Sequence, residues 1–159
     1  MTLPFKSRLM NLETIGEVAG PRWIPETHVG LPSVYHMNKP ILLIDDDRPF
    51  RQALHLHLEK YGFTCKEADD GREALVLLDG GLDVDLIISD CHMPVINGLD
   101  FLKALSYRVK GQDVRVILVS GNMTKEIEKE ARQAGAFALL AKPYDFQELL
   151  ALVTRAGKQ

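Results

Sequence analysis

Cysteine is almost absent from this chain. Cys65 and Cys91 are the only two, and they stand too far apart to form a CxxC pair. That spacing suits two reduced cytosolic thiols rather than a metal or redox site. Long apolar runs are missing as well. None approaches the roughly 18 residues a membrane span needs. Lys6 and Arg8 have no continuous apolar segment behind them, so the start is not a secretory signal. The expected location is cytoplasmic, with no membrane insertion. Positive charge does not accumulate either: 19 Lys and Arg stand against 22 Asp and Glu, a formal net charge of -3. Without a broad basic field, direct binding of nucleic acid is not expected. What the chain does have is 159 residues that are 46% hydrophobic and 26% charged, enough to fill the core of one domain with an appendage.

The appendage is residues 1–38, which carry Pro4, Pro21, Pro25 and Pro32 and glycines at 16, 20 and 30. Phe5, Leu9, Leu12 and Ile15 are spaced like one face of a short amphipathic helix, which Gly20-Pro21 would end. The rest of the segment reads as irregular. Met37 is a plausible translation start, and a docking helix at the stripe is the alternative.

Residues 39–159 are regular. Short apolar runs at 41–44, 84–89, 114–119 and 137–141, with a more polar one at 63–68, read as strands. Helical patterns at 48–61, 72–78, 99–107, 124–134 and from Phe146 onward alternate with them. Phe50, Leu54, Leu58 and Tyr61 are read as the buried side of the first helix. Asp145 and Glu148 are spaced as a capping box for the last. Such alternation implies a parallel sheet with helices on both faces. Continuous apolar runs are the mark of strands buried on both sides. Charged Lys66 and Glu67 put the second strand at an edge, and no charge is expected inside the central strands.

In an open parallel sheet, ligands bind beyond the carboxyl ends of the strands. Those ends read Asp45-Asp46-Asp47, Asp69-Asp70, Asp90, Ser120-Gly121 and Lys142-Pro143. Each residue has an ordinary explanation. Asp47 could cap a helix, Asp90 could open an Asx-turn, Ser120 could be a turn residue, and Lys142 could be solvated. Their common placement is harder to dismiss. Two carboxylates about 4 Å apart repel by around 4 kcal/mol at an effective dielectric near 20, so such a cluster calls for cations. Lys142 supplies one. An oxygen-only ligand set favours a hard divalent ion such as Mg²⁺. His55 and His57, two apart on a helix, are no metal pair. Mg²⁺ beside an aspartate suggests phosphoryl chemistry.

The stretches "ILLIDDD", "DLIISDCHMPVINGLDF", "VILVSGN" and "GAFALLAKPYD" resemble the receiver domain of two-component response regulators, in order and spacing, over about 120 residues from Lys39. The resemblance implies a flavodoxin-like (βα)5 doubly wound fold with strand order 2-1-3-4-5. It implies that Asp90 is phosphorylated by a histidine kinase or histidine phosphotransfer protein. Asp46 would bind Mg²⁺ directly and Asp45 through water, with the His92 carbonyl and Asp90 completing the protein ligands. Ser120 would hydrogen-bond the phosphoryl group, and Lys142 would pair with one of its oxygens. The Lys142–Pro143 bond is commonly cis in this family. Pro94 and Gly98 shape the loop after Asp90, and Gly121 leaves the phosphoryl group accessible. The implied protein is a signalling phosphoacceptor rather than an enzyme, a single-domain receiver acting on an unknown downstream protein by docking or phosphorelay. One departure stands out. The family's usual Tyr or Phe three residues before the lysine is Leu139, with Phe137 read as pointing to the same side of the strand. The competing enzyme reading is a haloacid-dehalogenase-like phosphatase using Asp45 and Asp47. It lacks the late acidic pair of that family and leaves Asp90 without a role.

Overall fold

The computed structural model describes residues 37–108 and 113–157. The expected helical stripe at Phe5, Leu9, Leu12 and Ile15 lies outside the described residues. Within them, five strands alternate with five helices: β1 (Ile41–Ile44), α1 (Arg48–Lys60), β2 (Cys65–Ala68), α2 (Gly71–Asp79), β3 (Leu86–Asp90), α3 (Gly98–Arg108), β4 (Arg115–Ser120), α4 (Lys125–Gln133), β5 (Ala138–Ala141) and α5 (Phe146–Gly157). All strand pairs are parallel, in the order β2-β1-β3-β4-β5. The doubly wound flavodoxin-like arrangement is therefore present.

Side chains of a strand alternate between faces, and the core divides accordingly. Leu42, Ile44, Ile87 and Leu118 pack with Phe101, Leu102 and Ala131 of α3 and α4. Ile41, Leu43, Ile88 and Ile117 pack with Leu54 and Leu58 of α1 and Leu149 and Val153 of α5. Both faces are covered, which is why β1 can be ILLI with no polar residue. The edge strand β2 is only partly buried, as its Lys66 and Glu67 require.

Some local expectations fail. The buried face of α1 is Arg51, Leu54 and Leu58, with Phe50 half-buried at the start of the helix. Arg115 opens β4, so a central strand does carry charge. The Asp145 carboxylate accepts from the Gln147 backbone N–H at 2.9 Å, while Glu148 N–H donates to the Asp145 carbonyl rather than to the carboxylate as a capping box requires. The reciprocal pattern occurs instead at α2. There Asp70 accepts from Glu73 N at 2.8 Å, while the Glu73 carboxylate accepts from Asp69 N at 2.6 Å.

Candidate functional site

Register brings the strand ends level. Ile44 stands beside Ser89, Asp90 beside Val119, and Ser120 beside Ala141. The residue following each apolar run therefore emerges on one rim, and side chains from three separated segments meet there.

Lys142 is the centre of that meeting. Its Nζ lies 2.9 Å from Asp90 Oδ1 and 3.2 Å from Asp45 Oδ2. Burial pulls its pKa down, but the bond to Asp90 and the fields of Asp45 and Asp90 outweigh burial and hold it above its ordinary value. Asp45 is pushed up, chiefly by burial, against the Asp47 amide and Lys142. The second oxygen of each acid ties down its own loop. Asp45 Oδ1 accepts from Asp47 N at 2.8 Å, and Asp90 Oδ2 accepts from His92 N at 2.7 Å. Asp90 thus does form the Asx-type turn, but with one oxygen, leaving the other toward the lysine. It is only 6% exposed.

The Ser120 hydroxyl accepts from Asn122 N at 3.2 Å and lies 3.4 Å from His92 Nδ1. No atom lies within 4 Å of the position a Cβ on Gly121 would take, so space is open there. The Lys142–Pro143 bond is cis. Gly98 is required by close approach: a Cβ there would lie 2.3 Å from the Asp90 carbonyl oxygen. Within the same loop, Val95 holds φ at +69°, an uncommon conformation for a β-branched residue.

Asp46 is exposed beside Asp45. Asp47 has gone to the helix cap, accepting from Phe50 N at 3.1 Å. That engages the second acid the phosphatase reading needed. Among the described residues, no three His, Cys, Asp or Glu side chains close on a common metal position. Asp45 and Asp90 instead share Lys142. The donor chemistry still fits a hard cation. Three carboxylates, Asp45, Asp46 and Asp90, stand against one ammonium, and two of them are buried. The Cys91 thiol hydrogen-bonds the Ser120 side chain at the edge of the site. Burial raises the Cys65 and Cys91 thiols to about 12 and about 11, leaving them protonated and unreactive at neutral pH.

Sequence reasoning missed Arg51. It is buried, donates to the Asp45 carbonyl, and pairs with Glu67 at 2.8 Å and Asp69 at 2.5 Å. Its spacing to Leu54 and Leu58, on the apolar face of α1, was the available signal. Phe50 was also misplaced. Lys142 Nζ lies 4.4 Å from its ring centroid.

Comparison with known proteins agrees with this fold. The model of the response regulator receiver domain matches residues 41–154. The transcriptional regulatory protein CpxR of Escherichia coli is 38% identical over 117 residues, 74% of this chain and 48% of that protein. The DNA-binding transcriptional regulator NtrC of Salmonella typhimurium is 34% identical over 116 residues, 73% of this chain and 24% of that protein. The chain thus spans less than half of the length of either of these two relatives. A response regulator structure from Burkholderia pseudomallei, described as carrying a phosphorylated aspartic acid, calcium ion and citrate, superposes with a TM-score of 0.66. It is 30% identical, covering 75% of this chain and 69% of that one. Among the described residues, no helix is long and apolar enough to cross a membrane.

Proposed function

The chain belongs to the response regulator receiver family, and from that premise we propose that Asp90 is its phosphoryl acceptor. The family's members are signalling phosphoacceptors of two-component systems that interact with histidine kinases and downstream effectors. Here the donor is a histidine kinase or phosphotransfer protein. One Asp90 carboxylate oxygen bonds to phosphorus as the phosphorus–nitrogen bond of the donor's phosphohistidine breaks, and the imidazole takes a proton as it leaves. The observation that carries this reading is Asp90 Oδ1, 2.9 Å from Lys142 Nζ on a rim open above Gly121.

Lys142 moves with the charge from the carboxylate to a phosphoryl oxygen, and the Ser120 hydroxyl donates to another. Asp46 directly, Asp45 through water, Asp90 and the His92 carbonyl would hold Mg²⁺. When bound, Mg²⁺ neutralises phosphoryl oxygens. The phosphorylated rim then signals in the cytoplasm, by docking a partner protein or by passing the phosphoryl group along a relay. Residues 39–159 are the receiver and 1–38 an extension.

The test uses acetyl phosphate with Mg²⁺ as a small donor, acetate then being the leaving group. Wild type takes up phosphate, and Asp90→Asn, nearly isosteric, folds normally and takes up none. Under the phosphatase reading, Asp45 would be the labelled residue instead. An Asp90→Asn protein labelled at wild-type yield rules out Asp90.

A further inference from the structure

We infer that Phe50 is a positioning residue for Lys142, its ring forming a non-directional seat on which the ammonium pivots during phosphoryl transfer. The inference rests on the acceptor role of Asp90 proposed above. Among the described residues, the ammonium meets three groups: Asp90 at 2.9 Å, Asp45 at 3.2 Å and the Phe50 ring at 4.4 Å to its centroid. The first two are hydrogen-bonding carboxylates. The third is the negative face of a quadrupole, which attracts a cation over a broad area rather than along one line.

That difference matters because of where charge goes. Before transfer, Lys142 answers the Asp90 carboxylate. Afterwards one of those oxygens is esterified, and the negative charge lies on phosphoryl oxygens farther out. An ammonium held only by hydrogen bonds would have to break one to follow. On the ring it moves and stays attracted throughout. Phe50 is itself fixed. It lies in the first turn of α1, where its amide is held by the Asp47 cap, and its ring meets Tyr144 edge-on at 6.2 Å between centroids. Tyr144 in turn packs on the α1–α5 side of the core. The seat is thus built from the N-cap of α1 on one side and the turn after β5 on the other, and the Lys142 side chain is only 27% exposed over it.

The experiment compares wild type, Phe50→Leu and Phe50→Tyr, with Asp90→Asn as control, by two readouts. One is the rate of labelling from acetyl phosphate with Mg²⁺. The other, independent of activity, is the proton chemical shift of the Lys142 ε-methylene, which a ring face moves upfield. Phe50→Leu keeps apolar bulk and loses the quadrupole. It should label roughly three- to tenfold more slowly and lose the upfield shift, while Phe50→Tyr keeps both near wild type. Equal rates in wild type and Phe50→Leu overturn the seat, as does equal loss in the Leu and Tyr variants, which would mean packing alone matters. An ordinary Lys142 methylene shift in wild type overturns it without any variant having to fold. If Asp90→Asn labels like wild type, the acceptor reading fails, and the chemical shift still decides whether the ring holds the lysine.

Discussion

Gly98 shows how tightly a single residue can be bound to the site. Its backbone N–H donates to the Cys91 carbonyl at 3.2 Å, and its missing side chain lets α3 start against the backbone of Asp90. An added methyl meets main chain rather than a flexible side-chain end, so relief requires moving the acceptor itself. Gly98→Ala should destabilise by about 1–3 kcal/mol, lower the melting temperature by roughly 5–10 °C, and slow labelling of Asp90 in the fraction that remains folded. Calorimetry and acetyl phosphate labelling together check this. Asp45 makes the opposite prediction. Burial raises its pKa above the ordinary 3.8, so the fold disfavours its ionised form. Stability is then lost, not gained, as pH rises from that value through the folded pKa. Asp45→Asn should melt higher than wild type at pH 7 without divalent metal, with the gap closing as pH falls toward 3.8. A gap that widens in acid contradicts the sign. At this scale the site was largely legible. Asp45, Asp90, Ser120 and Lys142 announce themselves because a polar residue directly follows an apolar run. Phe50 and Arg51 do not, since a ring and a guanidinium at helical spacing read as core and surface. Only the folded contacts show one against Lys142 and the other against the Asp45 carbonyl.

Among the elements, β5 departs most from what its sequence suggested. Phe137 precedes the strand, and its ring lies 5.5 Å from the Arg115 guanidinium and 5.0 Å from that of Arg155, on the α1–α5 side. It therefore does not share a side with Leu139, which packs on the opposite cluster with Leu118 and Ala131. Strict alternation predicted otherwise, and it fails because Phe137 is outside the ladder. The consequence concerns switching. Leu139 is partly buried against the α3–α4 cluster already, and it carries no ring to turn inward. Binding beryllofluoride as a phosphoryl mimic should change amide exchange most over residues 90–98 and near Ser120, and less over α4 and β5. An equal or larger change centred on α4 and β5 would show that leucine transmits the signal as an aromatic does. Boundaries were less legible than elements. β3 includes Asp90 itself and β2 begins only at Cys65, because pairing with neighbours, not apolarity, decides where a ladder stops.

For the receiver as a whole, alternation of strand and helix implied a parallel sheet, but nothing local specifies that β1 lies between β2 and β3. That order came from resemblance, and its physical basis is long-range: β1, β3 and β4 are the strands buried on both faces, and the charged β2 is left to the edge. The same long-range packing ties in the first described residues. Met37 packs against the α1–α5 cluster and reaches Gly157, where an added Cβ would lie 3.3 Å from Met37 Cγ. Lys39 bridges Asp83 at 3.0 Å and Asp85 at 2.9 Å, joining the entry to β1 with the entry to β3. Asp85 also contributes its carbonyl to Arg115 N at 2.9 Å, so the tie extends to β4. These contacts lie at the end of the sheet opposite the acceptor rim. A chain starting at Met37 should therefore melt and label like the full one. A chain starting at Pro40 loses the Met37 side chain, worth about 1 kcal/mol for partial burial, together with the Lys39 pairs. Its melting temperature should fall by roughly 5 °C, while labelling at Asp90, on the far rim, stays near wild type at temperatures well below the transition. Thermal melts and acetyl phosphate labelling of the three chains decide the matter. If the chain from Met37 already melts well below the full one, the stripe Phe5, Leu9, Leu12 and Ile15 stabilises the receiver. If the chain from Pro40 melts with the full one, the Met37 and Lys39 contacts contribute nothing measurable.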